Sequence, residues 1–164
     1  LQMASGQGPT NALAEATGVK VLAGDEAWFV RFDGELKGRP VANATTRDGD
    51  LWFDDAYEAF VVPPDGGYYH VIVNSIGTVY DAEGAAGTHF DAGVTTRMKV
   101  ADGRWIAELR IPVRPMYANG MVAGEKWGFL FCRDNARGGE GGSIDGAGAH
   151  QVLKSRVVSV PAAR

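Results

Sequence analysis

Glycine is the residue that most constrains the fold of this chain. The sequence contains 23 glycines among 164 residues, and they divide it into short segments in which apolar and polar residues alternate. Alternation with a period of two is typical of strands that bury one face, and the segments are too short for helices of three turns. The pattern predicts an all-β fold, an antiparallel, jelly-roll-like β-sandwich with long glycine-rich loops. A parallel α/β sheet is disfavoured because crossover helices are missing.

The predicted strands are separated by turns rich in glycine, proline and aspartate. They cover residues 17–23, 27–32, 57–62, 68–73, 94–100, 104–111, 127–133 and 151–160. Asp102–Gly103 predicts a tight hairpin, because an Asp-Gly pair accepts the positive φ angles that such turns require. Residues 34–50, 82–93 and 134–150 are predicted loops, and 112–125 a long connection with a helical turn. Residues 1–15 predict a loosely ordered leader, and residues 16–164 a single domain.

Composition excludes several classes of protein. Lysine and arginine number 16 against 20 acidic residues, a net charge of −4 at pH 7, whereas nucleic-acid binding needs clustered cations. No apolar segment approaches the roughly 20 residues of a membrane span. Cys132 is the only cysteine and lies in an apolar segment, which excludes an internal disulfide and predicts a buried, inert thiol. We therefore expect no nucleic-acid and no membrane partner.

Motifs typical of catalysis are missing from the sequence. It has no phosphate-binding loop, dinucleotide-binding fingerprint, zinc-protease helix or nucleophile elbow. The three histidines, His70, His89 and His150, are dispersed and lack the spacing of metal ligands. These absences predict that the protein is not an enzyme and has no organic cofactor.

The segment from residue 51 to residue 60 concentrates costly side chains. Trp52 follows a polar loop, two adjacent carboxylates come next, and Glu58 lies inside a predicted strand. Asp54 and Asp55 are placed either to ligate Ca²⁺ or to accept hydrogen bonds from turn N–H groups. Glu58 has to face water, an arginine or a ligand, because an unpaired buried carboxylate is expensive. The three carboxylates are too close together on one strand edge to straddle a glycosidic bond, which argues against a glycosidase.

The other tryptophans and Arg133 are given structural roles. Trp28, Trp105 and Trp127 lie in alternating or apolar strands and are predicted core residues. Arg133 ends an apolar strand, and we expect it to pair with a buried carboxylate such as Asp55. Because the other three tryptophans are predicted core residues, Trp52 is the tryptophan that we expect to contact a ligand.

Four sequence blocks, taken in order, resemble the family-9 carbohydrate-binding modules, which belong to the DOMON-like sandwiches. The blocks are WxxDxxE from Trp52 to Glu58, YYHVIVNSIGT at 68–78, DGRWIAELRIP at 102–112 and WGFLFCRDN at 127–135. The resemblance covers residues 16–135 well, and the early segment TGVKVLAGDEAWFV is also similar to the family's hairpin. It implies a noncatalytic module that is attached to plant-polysaccharide-degrading enzymes and carries structural calcium.

The resemblance also implies roles for individual residues. Trp52 matches the first of two tryptophans that clamp a sugar, and Glu58 matches a sugar-binding glutamate. Asn74 matches a family asparagine at the end of the next strand. These residue types suit the chemistry, because a sugar has apolar C–H faces that stack on an indole and hydroxyls that need fixed acceptors.

The chain departs from the family at two sugar-binding positions. The family's arginine falls at Ile72, and no tryptophan stands in the C-terminal loop where the second clamp is expected. We expect His150, Tyr80 or Phe90 to take the place of that second clamp.

We expect one structural Ca²⁺, because the resemblance implies it and polar loops supply the oxygen ligands that this ion prefers. The candidate ligands are Asp33, Asp48, Asp50 and Asp81. The expected partners are a plant or algal polysaccharide or oligosaccharide and a parent glycoside hydrolase or other multidomain protein. We expect a monomeric module, cut from a longer precursor, that is extracellular, secreted or on a bacterial cell surface.

Two other functions stay open. Some DOMON-like sandwiches ligate haem b with methionine plus histidine or lysine. The candidate pairs combine Met98, Met116 or Met121 with His150 or Lys154. The other alternative is a structural spacer that has kept the sandwich and lost the ligand. A Soret band would identify the haem protein, and failure to bind any glycan would favour the spacer.

Overall fold

Strands and turns make up the part of the chain that the computed structural model describes, namely residues 4–5, 15–84, 90–137, 140–143 and 155–162. The strands are β1 (Ala4–Ser5), β2 (Thr17–Ala23), β3 (Ala27–Glu35), β4 (Ala56–Val62), β5 (Tyr69–Asn74), β6 (Val79–Glu83), β7 (Thr95–Ala101), β8 (Arg104–Pro112), β9 (Lys126–Asn135), β10 (Glu140–Ser143) and β11 (Arg156–Ser159). A 3-10 turn, Leu51–Phe53, precedes β4. None of the described residues form a helix long and apolar enough to cross a membrane.

The strands form two antiparallel sheets. The smaller sheet has the order β2-β3-β8-β7, and the larger has the order β1-β10-β9-β4-β5-β6. β10 and β11 pair with opposite halves of β9, at residues 132–135 and 126–129 respectively. The two sheets confirm the predicted antiparallel β-sandwich. The predicted hairpin between β7 and β8 is also confirmed, with φ of 54° at Asp102 and 69° at Gly103.

The inner faces of the two sheets meet in an aromatic core. Trp28, Trp105 and Trp127 are fully buried, which confirms their prediction as core residues. Tyr57 of β4 crosses to the smaller sheet, where its ring stacks on Trp105 at 3.9 Å and on Phe32 at 4.6 Å between centroids. Aromatic packing of this kind is worth about 3–5 kcal/mol per ring when a ring is truncated to alanine. Loss of any one of these rings should therefore strongly destabilise the domain.

Arg133 closes one end of the core through a buried ion pair with Glu15. Arg133 Nη2 lies 2.5 Å from Glu15 Oε2, and Arg133 Nη1 donates to Thr17 Oγ1 at 2.8 Å. The expected pairing of Arg133 with a buried carboxylate is confirmed, but the partner is Glu15, whereas Asp55 pairs with Arg137. Glu15, which the sequence placed in the leader, is thus held by the sandwich. The division into a leader and one domain otherwise stays a prediction.

Two strands of the larger sheet differ from the sequence prediction. β6 overlaps the start of the predicted loop 82–93, and β10 lies inside the predicted loop 134–150. β6 has only Val79 and Tyr80 beside two acidic residues, and β10 has two glycines, so neither segment is long or apolar enough to indicate a strand clearly. Both segments form strands because β6 pairs with β5 and β10 pairs with β9.

Candidate functional site

The candidate site lies on the outer face of the larger sheet. Successive side chains of a strand point to opposite faces, so every second residue of β4, β5 and β9 faces away from the core. In the middle of this face the outward residues are Ala56, Glu58, Phe60, His70, Ile72, Asn74, Leu130, Cys132 and Asp134. All of them are buried except the partly exposed Asp134. Buried polar groups at such positions have to find partners, since leaving them unpaired is costly.

The 3-10 turn displays Trp52 and Phe53 at the edge of this face. Leu51 is fully buried and packs with Ala56 and Ile72, which fixes the turn to the sheet. Trp52 is left 47% exposed and Phe53 69% exposed. The other three tryptophans are fully buried, so Trp52 alone can offer an indole to a ligand. A ring held by a buried anchor and open on one side is suited to stacking against an apolar surface.

Tyr80 of β6 forms a corner with Trp52. The centroids of the two rings are 5.8 Å apart and their planes are inclined by 86°. Tyr80 also meets His70 edge-on at 5.8 Å, and His70 stacks on Phe60 at 4.0 Å. Burial raises the pKa of the Tyr80 hydroxyl, which therefore remains a hydrogen-bond donor at neutral pH. The rings lead from the exposed Trp52 to the buried middle of the sheet face.

Glu58 joins His70 and Asp134 in a buried polar cluster. Glu58 lies on β4, and in the register of the strands His70 on β5 and Asp134 on β9 are its diagonal neighbours. His70 Nε2 is 2.5 Å from Glu58 Oε2, and the Asp134 carboxyl hydrogen-bonds to Glu58 from the other side. Glu58 and His70 are 5% and 6% exposed. Glu58 thus faces neither water nor an arginine.

Burial sets the protonation of this cluster. It raises the pKa of both carboxyls, that of Asp134 to about 9, and the Glu58 charge adds to the rise at Asp134. Burial lowers the pKa of His70 to about 4. At pH 7 Asp134 therefore keeps its proton and can donate it to Glu58, while His70 is neutral and shares a hydrogen bond with the same carboxyl group.

Asn74 is occupied by the turn between β5 and β6. Its Nδ2 donates to the carbonyl of Ala44 at 2.8 Å and to Asp54 Oδ2 at 2.9 Å. Its Oδ1 accepts from the N–H groups of Ile76 and Thr78 at 3.3 and 2.9 Å. A side-chain amide has two donor hydrogens and two acceptor lone pairs, so these four bonds leave no group for a sugar hydroxyl. The geometry gives Asn74 a structural role, in place of the contact that the resemblance implies.

Asp54 and Asp55 hold the loop that precedes β4. Asp54 Oδ1 accepts from the N–H of Asn43 at 2.7 Å. Asp55 accepts from the N–H of Val41 at 2.6 Å and from that of Ala136 at 2.9 Å. Of the two roles considered for this pair, acceptance of turn N–H groups is the one that the contacts fit.

The aspartates considered as calcium ligands are dispersed over the molecule. Asp33 lies on β3 and accepts from Arg104 Nε at 2.8 Å. Asp50 is exposed at the start of the 3-10 turn and makes no capping hydrogen bond there. Asp48 and Asp81 are neighbours, because Asp48 Oδ1 accepts from the N–H of Asp81 at 3.2 Å.

Arg47 supplies the positive charge at the Asp48–Asp81 corner. Its guanidinium pairs with Asp81, with Asp48 at 3.6 Å and with Asp91 at 2.8 Å. Among the described residues, no group of three or more histidines, cysteines or acidic residues is arranged to hold a metal ion. These residues do not fit a calcium site, and the calcium implied by the resemblance stays a prediction.

The remaining candidates are placed as follows. His150 and Lys154 lie outside the described residues. Phe90 packs against Tyr69 at 4.7 Å, beside the core. The three methionines considered as haem ligands also belong to the core or pack against it: Met98, Met116 and Met121. Of the proposed second clamps, Tyr80 is the one that the described structure brings to Trp52.

His70 and Asp134 are the site residues that sequence reasoning missed. In the sequence, His70 is one of three dispersed histidines, and Asp134 begins a predicted loop. The register of the strands is the feature that identifies them, because both residues lie at outward positions on the strands that flank Glu58. Cys132 is buried beside them, as predicted, and burial raises the pKa of its thiol, which keeps it inert.

Two antiparallel sheets with an exposed aromatic corner on one outer face define a β-sandwich with a surface suited to recognition. Solved structures with this fold include a candidate carbohydrate-binding protein from Bacteroides uniformis. It has a TM-score of 0.71 and 16% identity, and the match covers 88% of this chain and 77% of that one.

Two further matches are family-9 carbohydrate-binding modules from Caldicellulosiruptor kristjanssonii. The structure in complex with cellotriose has a TM-score of 0.57 and 18% identity, with 82% of this chain and 67% of that chain covered. The structure in complex with glucose has a TM-score of 0.55 and 16% identity, with 87% and 72% covered. The resemblance to family-9 modules is thus confirmed at the level of the fold. No protein-family model matches this sequence, and no curated protein does.

Proposed function

We propose that this domain is a noncatalytic carbohydrate-binding module whose site is the Trp52–Tyr80 corner. The observation that carries the proposal is the single exposed tryptophan, anchored by a buried turn and set at a right angle to a second ring. A sugar ring would lie with its C–H face on Trp52 and its edge against Tyr80. The sandwich fold shared with carbohydrate-binding modules supports this assignment.

The polar side of the proposed site is the cluster beneath the corner. Glu58 already hydrogen-bonds to two neighbours and is nearly buried. In this proposal Glu58 fixes the orientation of His70 and Asp134, and the more exposed Asp134 presents the acceptor that sugar hydroxyls reach. His150 stays a proposed second clamp.

A neutral glycan is the class of ligand that we propose for the corner. The matched family-9 modules were solved with cellotriose and with glucose, which are neutral sugars. Ile72 stands where the resemblance expects an arginine, so the outer face has no cation at that position for an acidic sugar. We propose plant or algal polysaccharides or oligosaccharides of this class as the natural partners.

The wider context of the module is proposed from the resemblance. The domain would deliver a parent glycoside hydrolase or other multidomain protein to its polysaccharide, as a monomeric module outside the bacterial cell or on its surface. Fusion of the domain to a hydrolase and measurement of activity on insoluble substrate tests this targeting role. Equal activity with and without the domain would count against it.

Affinity electrophoresis in xylan, β-glucan and mannan tests the site. Trp52→Ala should abolish the retardation seen with the wild type, because it removes the platform. The free energy of unfolding should fall by about 1 kcal/mol or less, since the ring is half-exposed. Phe29→Ala is a matched control, because Phe29 is an exposed ring, 42% accessible, on the other sheet; it should bind like the wild type.

Two results would overturn the assignment. If Trp52→Ala unfolds the domain, as loss of a core ring worth about 3–5 kcal/mol does, Trp52 is structural. If the wild type is not retarded by any glycan, the spacer alternative gains. A Soret band in the purified wild type would instead support the haem alternative.

A further inference from the structure

The outer face of the smaller sheet carries a groove that the proposed sugar site does not use. Its volume is about 880 Å³. Leu22 of β2 and Phe29 of β3 line it side by side, and both are unusually open for apolar side chains, at 66% and 42% exposure. The groove crosses all four strands of the sheet, since its lining comes from β2, β3, β8 and β7.

Cations surround this apolar strip. Lys20, Arg31, Arg97 and Arg110 line the groove, against one carboxylate, Glu108, in a chain whose net charge is −4. The face is therefore positive where the molecule as a whole is negative. Such a separation attracts anions to one surface.

Most of this positive charge is not neutralised by neighbouring residues. Arg31 Nη1 lies 2.6 Å from Glu108 Oε1, so that pair is satisfied. Across the described part of the chain, no carboxylate lies within 4 Å of Lys20, Arg97 or Arg110. Arg97 and Arg110 are also diagonal neighbours on β7 and β8. An anion that binds between two like charges at that separation lowers their mutual repulsion.

The geometry of the cations selects the kind of anion. Lys20 on β2 and Arg97 on β7 stand in one cross-strand row, about 14 Å apart at three strand spacings. One small anion cannot bridge that distance, but a chain with charges along its length can. Arginine pairs with planar carboxylates through two parallel hydrogen bonds. Phe29 offers a face to apolar C–H groups between the charges.

Macromolecules of other classes fit the groove less well. Nucleic-acid binders commonly make about 6–10 phosphate contacts, and this groove has three unneutralised cations. A stable protein interface buries about 800 Å² on each partner around an apolar centre, whereas the exposed apolar part here is Leu22 and Phe29. A linear chain of sugars with one carboxylate on each residue suits both the length and the charge of the groove.

We propose that this groove binds a linear anionic polysaccharide of the polyuronate class, independently of the neutral sugar site at Trp52. Carboxylates of the chain pair with Arg97, Arg110 and Lys20, and sugar rings between them pack on Phe29. The domain then has two glycan-binding faces, one on each sheet.

The experiment measures binding of the whole chain to polygalacturonate and alginate by affinity electrophoresis and calorimetry. Dextran sulfate, double-stranded DNA and neutral β-glucan are the comparison polymers. The double variant Arg97→Gln/Arg110→Gln should bind polyuronate about tenfold more weakly, as expected for two exposed ion pairs. The double variant Lys37→Gln/Lys126→Gln removes the same charge outside the groove and should bind like the wild type. Phe29→Ala should also weaken polyuronate binding.

The outcomes separate this proposal from the proposed function. Polyuronate binding that survives Trp52→Ala and is lost in Arg97→Gln/Arg110→Gln supports the groove, whatever happens with β-glucan. Absence of wild-type polyuronate binding at low salt overturns it. Equal losses in the two double variants, or tighter binding to DNA or dextran sulfate than to polyuronate, overturn it as well. Melting temperatures of all variants within a few degrees of the wild type show that the effects are not unfolding.

Discussion

Glu58 keeps its carboxyl group in a nearly buried position because two neighbours hydrogen-bond to it. These neighbours are the neutral His70 and the protonated Asp134. A buried carboxylate without such partners would be strongly destabilising, so these three residues form one unit in which each protonation state depends on the others. At the scale of single residues, this unit links the stability of the fold to the polar side of the proposed site.

The pH dependence of stability should reveal this unit. The pKa of Asp134 is about 9 in the folded protein and about 3.9 in an unfolded chain. Between pH 7 and 9 unfolding therefore releases a proton, and the free energy of unfolding falls as the pH rises. The slope should be about 1.4 kcal/mol for each pH unit between pH 7 and 8 and about half of that at pH 9, where half of the folded molecules have lost the proton. Urea unfolding at pH 7, 8 and 9 measures it.

Asp134→Asn should flatten this slope, because the amide keeps the shape and cannot lose the proton. Asp50→Asn, at an exposed position, is the control and should keep the wild-type slope. His70 acts in the opposite direction, since its folded pKa of about 4 lies below its usual 6.5. Its contribution to stability increases as the pH rises from about 4 to 6.5 and then stays constant. A flat wild-type profile from pH 7 to 9 would show that Asp134 is already ionised.

At the scale of elements, the turn between β5 and β6 ties three segments together. Asn74 bonds to the loop before the 3-10 turn through Ala44, to Asp54, and to the N–H groups of its own turn. The same loop positions Leu51, whose burial fixes the exposed Trp52. The position of Trp52 therefore depends on the turn between β5 and β6, although Trp52 does not belong to that turn.

Replacement of Asn74 by alanine should lower the free energy of unfolding by about 2–4 kcal/mol. The reason is that Asp54 and two turn N–H groups lose their partner while buried or partly buried. Chemical denaturation measures the loss, and Asn43→Ala, whose residue is exposed, should change stability by less than about 0.5 kcal/mol. Protein that remains folded should still bind glycan, because Asn74 has no free group for a sugar. A binding loss without a stability loss would restore Asn74 to the site.

The elements that the sequence predicts well are those with strong alternation. β3 and β8 alternate large apolar with polar residues, and the Asp102–Gly103 turn has the residue types that its positive φ angles need. β6 and β10 lack such patterns, and each is a strand because it pairs with the strand that precedes it, β5 and β9 respectively. Trp52 and Glu58 could be predicted as site residues from the sequence, because a tryptophan beside a polar loop and a glutamate inside a strand are energetically costly. The partners of Glu58 could not be predicted in this way, since only the register of β4 with β5 and β9 brings them together.

At the scale of the whole molecule, charge and aromatic surface are divided between the sheets. The larger sheet presents the Trp52–Tyr80 corner, and the smaller sheet presents unneutralised cations around Phe29. The aromatic core separates the two faces, so substitutions on one face should leave the other unchanged.

The resemblance and the observed contacts lead to different expectations for the effect of calcium on the stability of the whole molecule. The resemblance implies that Ca²⁺ raises the melting temperature, because a metal that binds the folded state stabilises it. The ion pairs of Arg47 predict equal melting temperatures in calcium and in EDTA, since its guanidinium already pairs with Asp48, Asp81 and Asp91. Thermal melts in both buffers decide between them. A clear rise in calcium would restore the metal site and show that its ligands include residues other than these.

Quenching of tryptophan fluorescence by acrylamide tests the central claim most directly, because Trp52 is the one exposed tryptophan among four. We predict that saturating β-glucan oligosaccharide protects the wild type from quenching. In Trp52→Phe, whose remaining tryptophans are all buried, quenching should be weak and unchanged by the sugar. Quenching of the wild type that stays the same at a sugar concentration where calorimetry detects binding would place the sugar elsewhere and contradict the Trp52 site.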